Sequence, residues 1–158
     1  MIDELVTWYQ NTAIAAHIFA LAVAYVLALP IGWDREHRER SAGLRTFPLV
    51  AISSCGFVQA GETLFHESPE AMARVIEGII TGMGFIGGGA ILRMKTSVRG
   101  TATAASLWAT GAMGTAVGLG AVDIAALLSV VTFFTLRALT PLKADTPEAA
   151  DAPADRPR

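Results

Sequence analysis

Residues 78–89 read GIITGMGFIGGG, six glycines in twelve positions, inside an apolar stretch running from Val75 to Leu92. In a soluble helix each glycine costs about 1 kcal/mol relative to alanine. A bilayer changes that balance. Lipid tails are as apolar as leucine, so helices associate there through close backbone approach, which small residues permit. The run predicts a membrane helix crowded by its neighbours, or one partly unwound.

The rest of the chain agrees with a bilayer setting. Of 158 residues, 53% are hydrophobic and 16% charged, against roughly 25% charged in soluble domains. A helix crossing the hydrocarbon needs about 20 mostly apolar residues, so several such segments fit with short loops between them. Cys55 is the single cysteine, which excludes an intrachain disulfide and a cysteine-rich metal site. The N-terminus, MIDELVTWYQ, carries Asp3 and Glu4 and no basic residue. A secretory signal has a positive n-region, so the first hydrophobic helix is expected to be retained.

Five spans are expected. Ala13 to Gly32 has no formal charge and reads as the first, with Pro30 and Gly32 positioned to bend or end it. The charged loop DREHRERSAGLR follows at 34–45. Thr46 to about Phe65 is a second, weaker span whose Pro48 suits a first turn. HESPEAMAR is a polar link, the glycine-rich third span comes next, and RMKTSVRG forms a second basic loop. Residues 101–140 are charged only at Asp123 and Arg137. One helix of that length would measure about 60 Å, twice the hydrocarbon thickness. Two spans joined tightly around Gly118, Gly120 and Asp123 fit better.

Charge distribution supports the same count. With five alternating spans, eleven of the twelve Lys and Arg residues fall on one side, leaving Arg74 alone on the other among Asp3, Glu4, Glu62, Glu67, Glu70 and Asp123. Basic loops stay cytoplasmic. The fold class expected is therefore all-α, a polytopic membrane helix bundle of five transmembrane helices, with the N-terminus outside and the C-terminus cytoplasmic. Residues 1–140 form the transmembrane domain. Residues 141–158, rich in Ala, Asp and Pro, read as a disordered cytoplasmic tail unable to bury enough surface to offset its ordering entropy.

Candidate functional residues form three groups. Asp34, Arg35 and Glu36 sit at the end of the first span, where they either anchor it in solvent or fold back to pair with Arg45 or Arg99, in a candidate cytoplasmic charge network of six that also includes Arg93. The glycines Gly78, Gly82, Gly84, Gly87, Gly88 and Gly89 offer helix contact or line a path. Gly82-x-Gly84-x-x-Gly87 also matches a dinucleotide fingerprint, but no strand–turn–helix unit or later acidic residue accompanies it. Gly114-x-x-x-Gly118 is a second helix-contact motif. Arg74 and Glu77, three apart, share a helix face. They read as an outer-boundary ion pair, or Glu77 reads as a cation or proton ligand with Glu62 as its partner. One carboxylate is few for magnesium, which keeps several waters and takes one or two carboxylates. No nucleophile–base constellation or zinc spacing is present, so enzymatic activity is not expected. No cofactor and no nucleic-acid partner are implied.

Four stretches together carry a family resemblance: IGWDREHRERSAGLRTFPLV at 31–50, RVIEGIITGMGFIGGGAILR at 74–93, SVRGTATAASLW at 97–108, and the GAMGTAVGLG that follows. In order and spacing the chain resembles the MgtC/SapB family of bacterial inner-membrane proteins over most of residues 20–138. The resemblance implies a multi-pass, N-out domain associated with growth in low magnesium. It also implies action through other membrane proteins, the F-type ATP synthase among them for some members. Matched positions are Arg35, Glu36, Gly43, Arg45, Thr46, Gly84, Gly88, Arg93, Arg99, Gly100 and Trp108. Asp34 stands where the family usually has glutamate, and Gly100–Ala105 departs from the usual GLTTAA. Virulence-associated members carry a folded cytoplasmic C-terminal domain, which the short acidic tail does not resemble, so no virulence role is carried over. The expected function is support of magnesium homeostasis or envelope stress adaptation by contacting other membrane proteins. The alternative is an oligomeric cation transporter or channel. Expected partners are the bilayer, a membrane protein and a second copy of the chain.

Overall fold

The computed structural model describes the backbone of residues 2–37, 42–93 and 98–139, with side chains for 13–37, 42–92 and 98–139. The tail expected from 141 onward lies outside the described residues. The elements in order are α1 (Ile2–His37), α2 (Thr46–Phe65), α3 (Pro69–Gly89), β1 (Leu92–Arg93), β2 (Val98–Arg99), α4 (Thr101–Gly118) and α5 (Val122–Leu139). Among the described residues, three helical stretches are long and apolar enough to cross a membrane: Ala13–His37, Pro69–Gly89 and Val122–Leu139.

α1 passes through Pro30 and Gly32 and ends at His37, later than the sequence suggested. Packing compensates for the proline. The 42–47 segment folds back onto the last turns of α1, burying Ile31, Asp34, Arg35, Ala42 and Phe47. Gly32 permits this, since a Cβ there would lie 3.3 Å from Leu44 Cα and 3.4 Å from Phe47 Cβ. α2 then starts with the Thr46 and Phe47 N–H groups donating to Gly43 O at 2.9 and 3.1 Å. Pro48 follows in the first turn, where no N–H is needed.

α3 begins six residues earlier than the apolar stretch. Ser68 caps it by accepting from the Ala71 N–H at 3.4 Å, Pro69 takes the first helical position and Glu70 lies in the first turn. Such a start satisfies an orphan donor and complements the helix dipole. The helix is unbroken through all six glycines. The second basic loop contains a short antiparallel hairpin, with Leu92 opposite Arg99 and Arg93 opposite Val98. Gly100 follows at φ +88°, and a Cβ there would overlap the Ala90 carbonyl oxygen. α4 and α5 are joined tightly, as expected. Gly120 at φ +80° lets the Gly120 and Ala121 N–H groups return to Val117 O and Ala116 O at 3.0 and 2.9 Å.

α4 is the central helix and touches each of the other four. Ten of its 18 residues are buried, against three of 18 in α5. Its glycines carry the closest approaches in the bundle. A Cβ on Gly111 would lie 2.7 Å from Met83 Cγ of α3, and one on Gly118 would lie 2.6 Å from Val58 Cβ of α2. At Gly114 an added Cβ would overlap the Ala51 carbonyl oxygen. Hydroxyls inside α4 are satisfied within their own helix: Ser106 donates to Thr103 O at 2.9 Å, Thr110 to Ser106 O at 2.8 Å and Thr115 to Gly111 O at 2.9 Å. Ser129 of α5 instead reaches across to Leu27 O of α1 at 2.7 Å.

These pairings set the helix directions. Ala51 and Val58 meet Gly114 and Gly118 in the same order, so α2 and α4 run parallel, whereas Met83 meets Gly111 and Gly87 meets Ala104 in reverse. The end of α1, the start of α2, the hairpin and the start of α4 therefore share one end of the bundle. That end carries Arg35, Arg45 and Arg99, and the other carries Glu62, Glu67 and Glu70.

Candidate functional site

At the basic end, Asp34 and Arg35 are buried to within 4% and 3% of full burial. Arg35 Nη2 donates to Asp34 Oδ2 at 2.7 Å. Removing one partner of a buried ion pair is strongly destabilising, by about 3–5 kcal/mol in general. Arg35 Nε is buried without a hydrogen-bond partner. Glu36 turns outward and its carboxylate accepts from the Leu44 N–H at 3.1 Å, tying α1 to the loop before α2. Gly43 is required beneath it, because a Cβ there would overlap the Glu36 carboxylate. Trp33, half exposed, meets His37 edge to face with centroids 4.9 Å apart.

The six charges proposed as a network do not behave alike. Asp34 and Arg35 pair with each other, and Glu36 binds backbone. Arg45 and Arg99 are exposed and neither forms an ion pair with a described residue. Arg99 is held by its strand pairing with Leu92. Arg93 belongs to the same hairpin, and its side chain lies outside the described residues.

The α3 glycines divide in the same way. A Cβ on Gly87 would lie 3.4 Å from Ala104 O, whereas one on Gly78, Gly82, Gly84, Gly88 or Gly89 would meet nothing within 4 Å. Within the described residues the closest backbone approaches fall on the glycines of α4. At 100° per residue, Gly84 and Gly88 stack on one face of α3 while Gly78 and Gly82 stack about 120° around the helix from it. Glu77 shares the Gly84–Gly88 face. It is exposed and lies about 12 Å along the helix from Pro69. Arg74 is also exposed, and no ion pair joins it to Glu77. Glu62 is exposed in the last turn of α2. No group of three or more His, Cys, Asp or Glu suited to a metal ion occurs among the described residues.

One feature escaped the sequence reading. α2 and α3 diverge around a groove of about 950 Å³, lined among others by Arg45, Leu49, Phe57, Gly61, Gly82 and Ile86. Its signal was present in the small residues facing each other across the two helices, Ser53, Gly61, Gly78 and Gly82, which lower side-chain volume along the whole seam.

The model of the MgtC family matches residues 21–144. The chain belongs to the MgtC family. The motifs at 31–50, 74–93 and 97–108 lie inside that match, and together with the three apolar helices the assignment makes this a membrane protein. Among MgtC relatives, Protein MgtC of Salmonella typhimurium is 40% identical over 104 residues, 66% of this chain and 44% of its own length. Protein MgtC of Brucella abortus is 39% identical over 128 residues, 80% of this chain and 53% of its own. An uncharacterized protein of Synechocystis sp. is 40% identical over 125 residues, 79% of this chain and 53% of its own. The chain thus spans about half the length of the curated relatives it matches. No solved structure matches it.

Proposed function

We propose that this MgtC-family chain is a multi-pass protein of the bacterial inner membrane that supports magnesium homeostasis or envelope stress adaptation by contacting another membrane protein. All five helices cross the bilayer, with the N-terminus outside and the basic end cytoplasmic. α2 and α4, of 20 and 18 residues, are about 30 and 27 Å long. Their Ser, Thr and Gly content suits the bundle interior, while α1, α3 and α5 supply the apolar wall.

The observation that carries the reading is the outer face of α3, where exposed Glu77 lies in line with Gly84 and Gly88. A charge within the hydrocarbon costs about 2.5–3.5 kcal/mol on insertion scales and ordinarily faces protein or water. Two glycines one turn apart beside it admit a second helix at close range. A partner helix laid along this face covers the carboxylate and uses the glycines together. The interior of the bundle, by contrast, is closed by Met83 against Gly111 and by Val58 against Gly118, which supports a contacting role over a conducting one.

The test is magnesium flux into proteoliposomes containing only the purified, folded protein, with Glu77→Gln alongside. No flux above empty vesicles is expected. Saturable flux that disappears in Glu77→Gln would overturn the proposal in favour of a cation transporter.

A further inference from the structure

The groove between α2 and α3 lies on the side of α3 away from the Glu77–Gly84–Gly88 face, and its chemistry is different. Among the described residues lining it, Arg45 is the single charged one, and it sits at the basic end. From there the groove runs between Leu49, Phe57 and Leu64 on α2 and Gly78, Gly82 and Ile86 on α3. Leu49, Phe57, Leu64, Phe85 and Ile86 are exposed to it or around it. No acidic residue lines it, and none occupies the first turn of α2.

We propose that this groove holds an acyl chain of an anionic phospholipid from the leaflet at the basic end, with the lipid phosphate on the Arg45 guanidinium. Three observations specify that occupant. The groove has one polar, cationic end and an apolar remainder, which matches an amphiphile with an anionic head and not a symmetric hydrocarbon. Arg45 is uncommitted: the neighbouring carboxylate of Glu36 is taken by the Leu44 N–H, and the Thr46 and Phe47 N–H groups are taken by Gly43 O. The guanidinium is thus the donor left for a headgroup, and its planar fork suits a phosphate. The third observation is size. A spanning helix about 10 Å wide and 30 Å long fills roughly 2,400 Å³, more than twice the groove, whereas 950 Å³ lies at the upper end of the range of small-molecule sites.

Native mass spectrometry of the full chain in detergent, titrated with phosphatidylglycerol or phosphatidylcholine, tests this. The unaltered protein should retain one phosphatidylglycerol about fivefold better than phosphatidylcholine, the effect of one cation on an anionic lipid at the surface. Arg45→Gln should abolish that preference while phosphatidylcholine retention stays unchanged. Gly82→Leu, whose Cβ has open space around it, should fill the groove and lose retention of both lipids. Ile86→Trp should do the same by an independent substitution, and thermal melting of each variant shows that it remains folded. Equal retention of the two lipids by the unaltered protein would overturn the anionic headgroup. Unchanged retention in both filled variants would overturn the groove as its seat. A dimer present in the spectrum and lost in Gly82→Leu, with no bound lipid, would replace the lipid by a second copy of the chain.

Discussion

Helices α3 and α4 both spend glycines, and they spend them in opposite directions. On α4, Gly111, Gly114 and Gly118 admit Met83, the Ala51 backbone and Val58, so their missing side chains are filled by the chain itself. On α3, five of six glycines have open space where a Cβ would stand. The same residue type thus produces a sealed seam in one helix and an open surface in its neighbour. The charges at the basic end repeat the division. Asp34 and Arg35 are buried in a pair, and Arg45 is left free at the mouth of the α2–α3 groove. Residues committed inside the fold should control stability. Uncommitted ones should control what the fold meets.

That contrast can be broken experimentally. The largest effect is expected from Arg35→Ala, which removes one partner of the buried Asp34–Arg35 pair and should lower unfolding free energy by about 3 kcal/mol in reversible denaturation from detergent micelles. Gly114→Ala comes next. Its Cβ must push α4 away from Ala51, an overpacking cost of about 1–3 kcal/mol, read as a fall in melting temperature. The same substitution at Gly84 should leave melting unchanged or raise it, since alanine gains about 1 kcal/mol over glycine in a helix and meets no neighbour. Arg45→Ala should shift stability least, within about 0.5 kcal/mol, yet should reduce complementation of growth in limiting magnesium. Normal complementation by that variant would leave the arginine as a topology signal alone.

Much of the scaffold was legible because it rests on local chemistry. Thr46–Phe65 follows from an apolar run with proline in its first turn, and the α4–α5 joint follows from length and Gly120. The start of α3 was legible in principle, through Ser68, Pro69 and Glu70, but Arg74 interrupts the apolar run behind them and masked the capping signal. α1 outran its expected end because its last turns are supported by Leu44 and Phe47, contacts that no local pattern contains. At the candidate site, the sequence named glycines and charges without sorting those packed inside the bundle from those left open. Periodicity puts Gly84 and Gly88 on one face, but only the packing of α3 against α4 reveals which face is already occupied. The α2–α3 groove was hidden for the same reason, being a space defined by two helices at once.

The central claim is that the Gly84–Gly88 face of α3 serves contact with another membrane protein and not the fold. The most direct measurement pairs thermal melting with growth of a strain lacking the protein, in limiting magnesium, when it is supplied with the Gly84→Leu, Gly88→Leu double variant. Melting like the unaltered chain with loss of growth support is expected, because the Cβ positions at 84 and 88 are open within the chain and bulky side chains there would hold a partner helix away. Full growth support by a folded double variant would contradict the claim, and so would a variant that fails to fold, since both would mean that these glycines face something other than a partner.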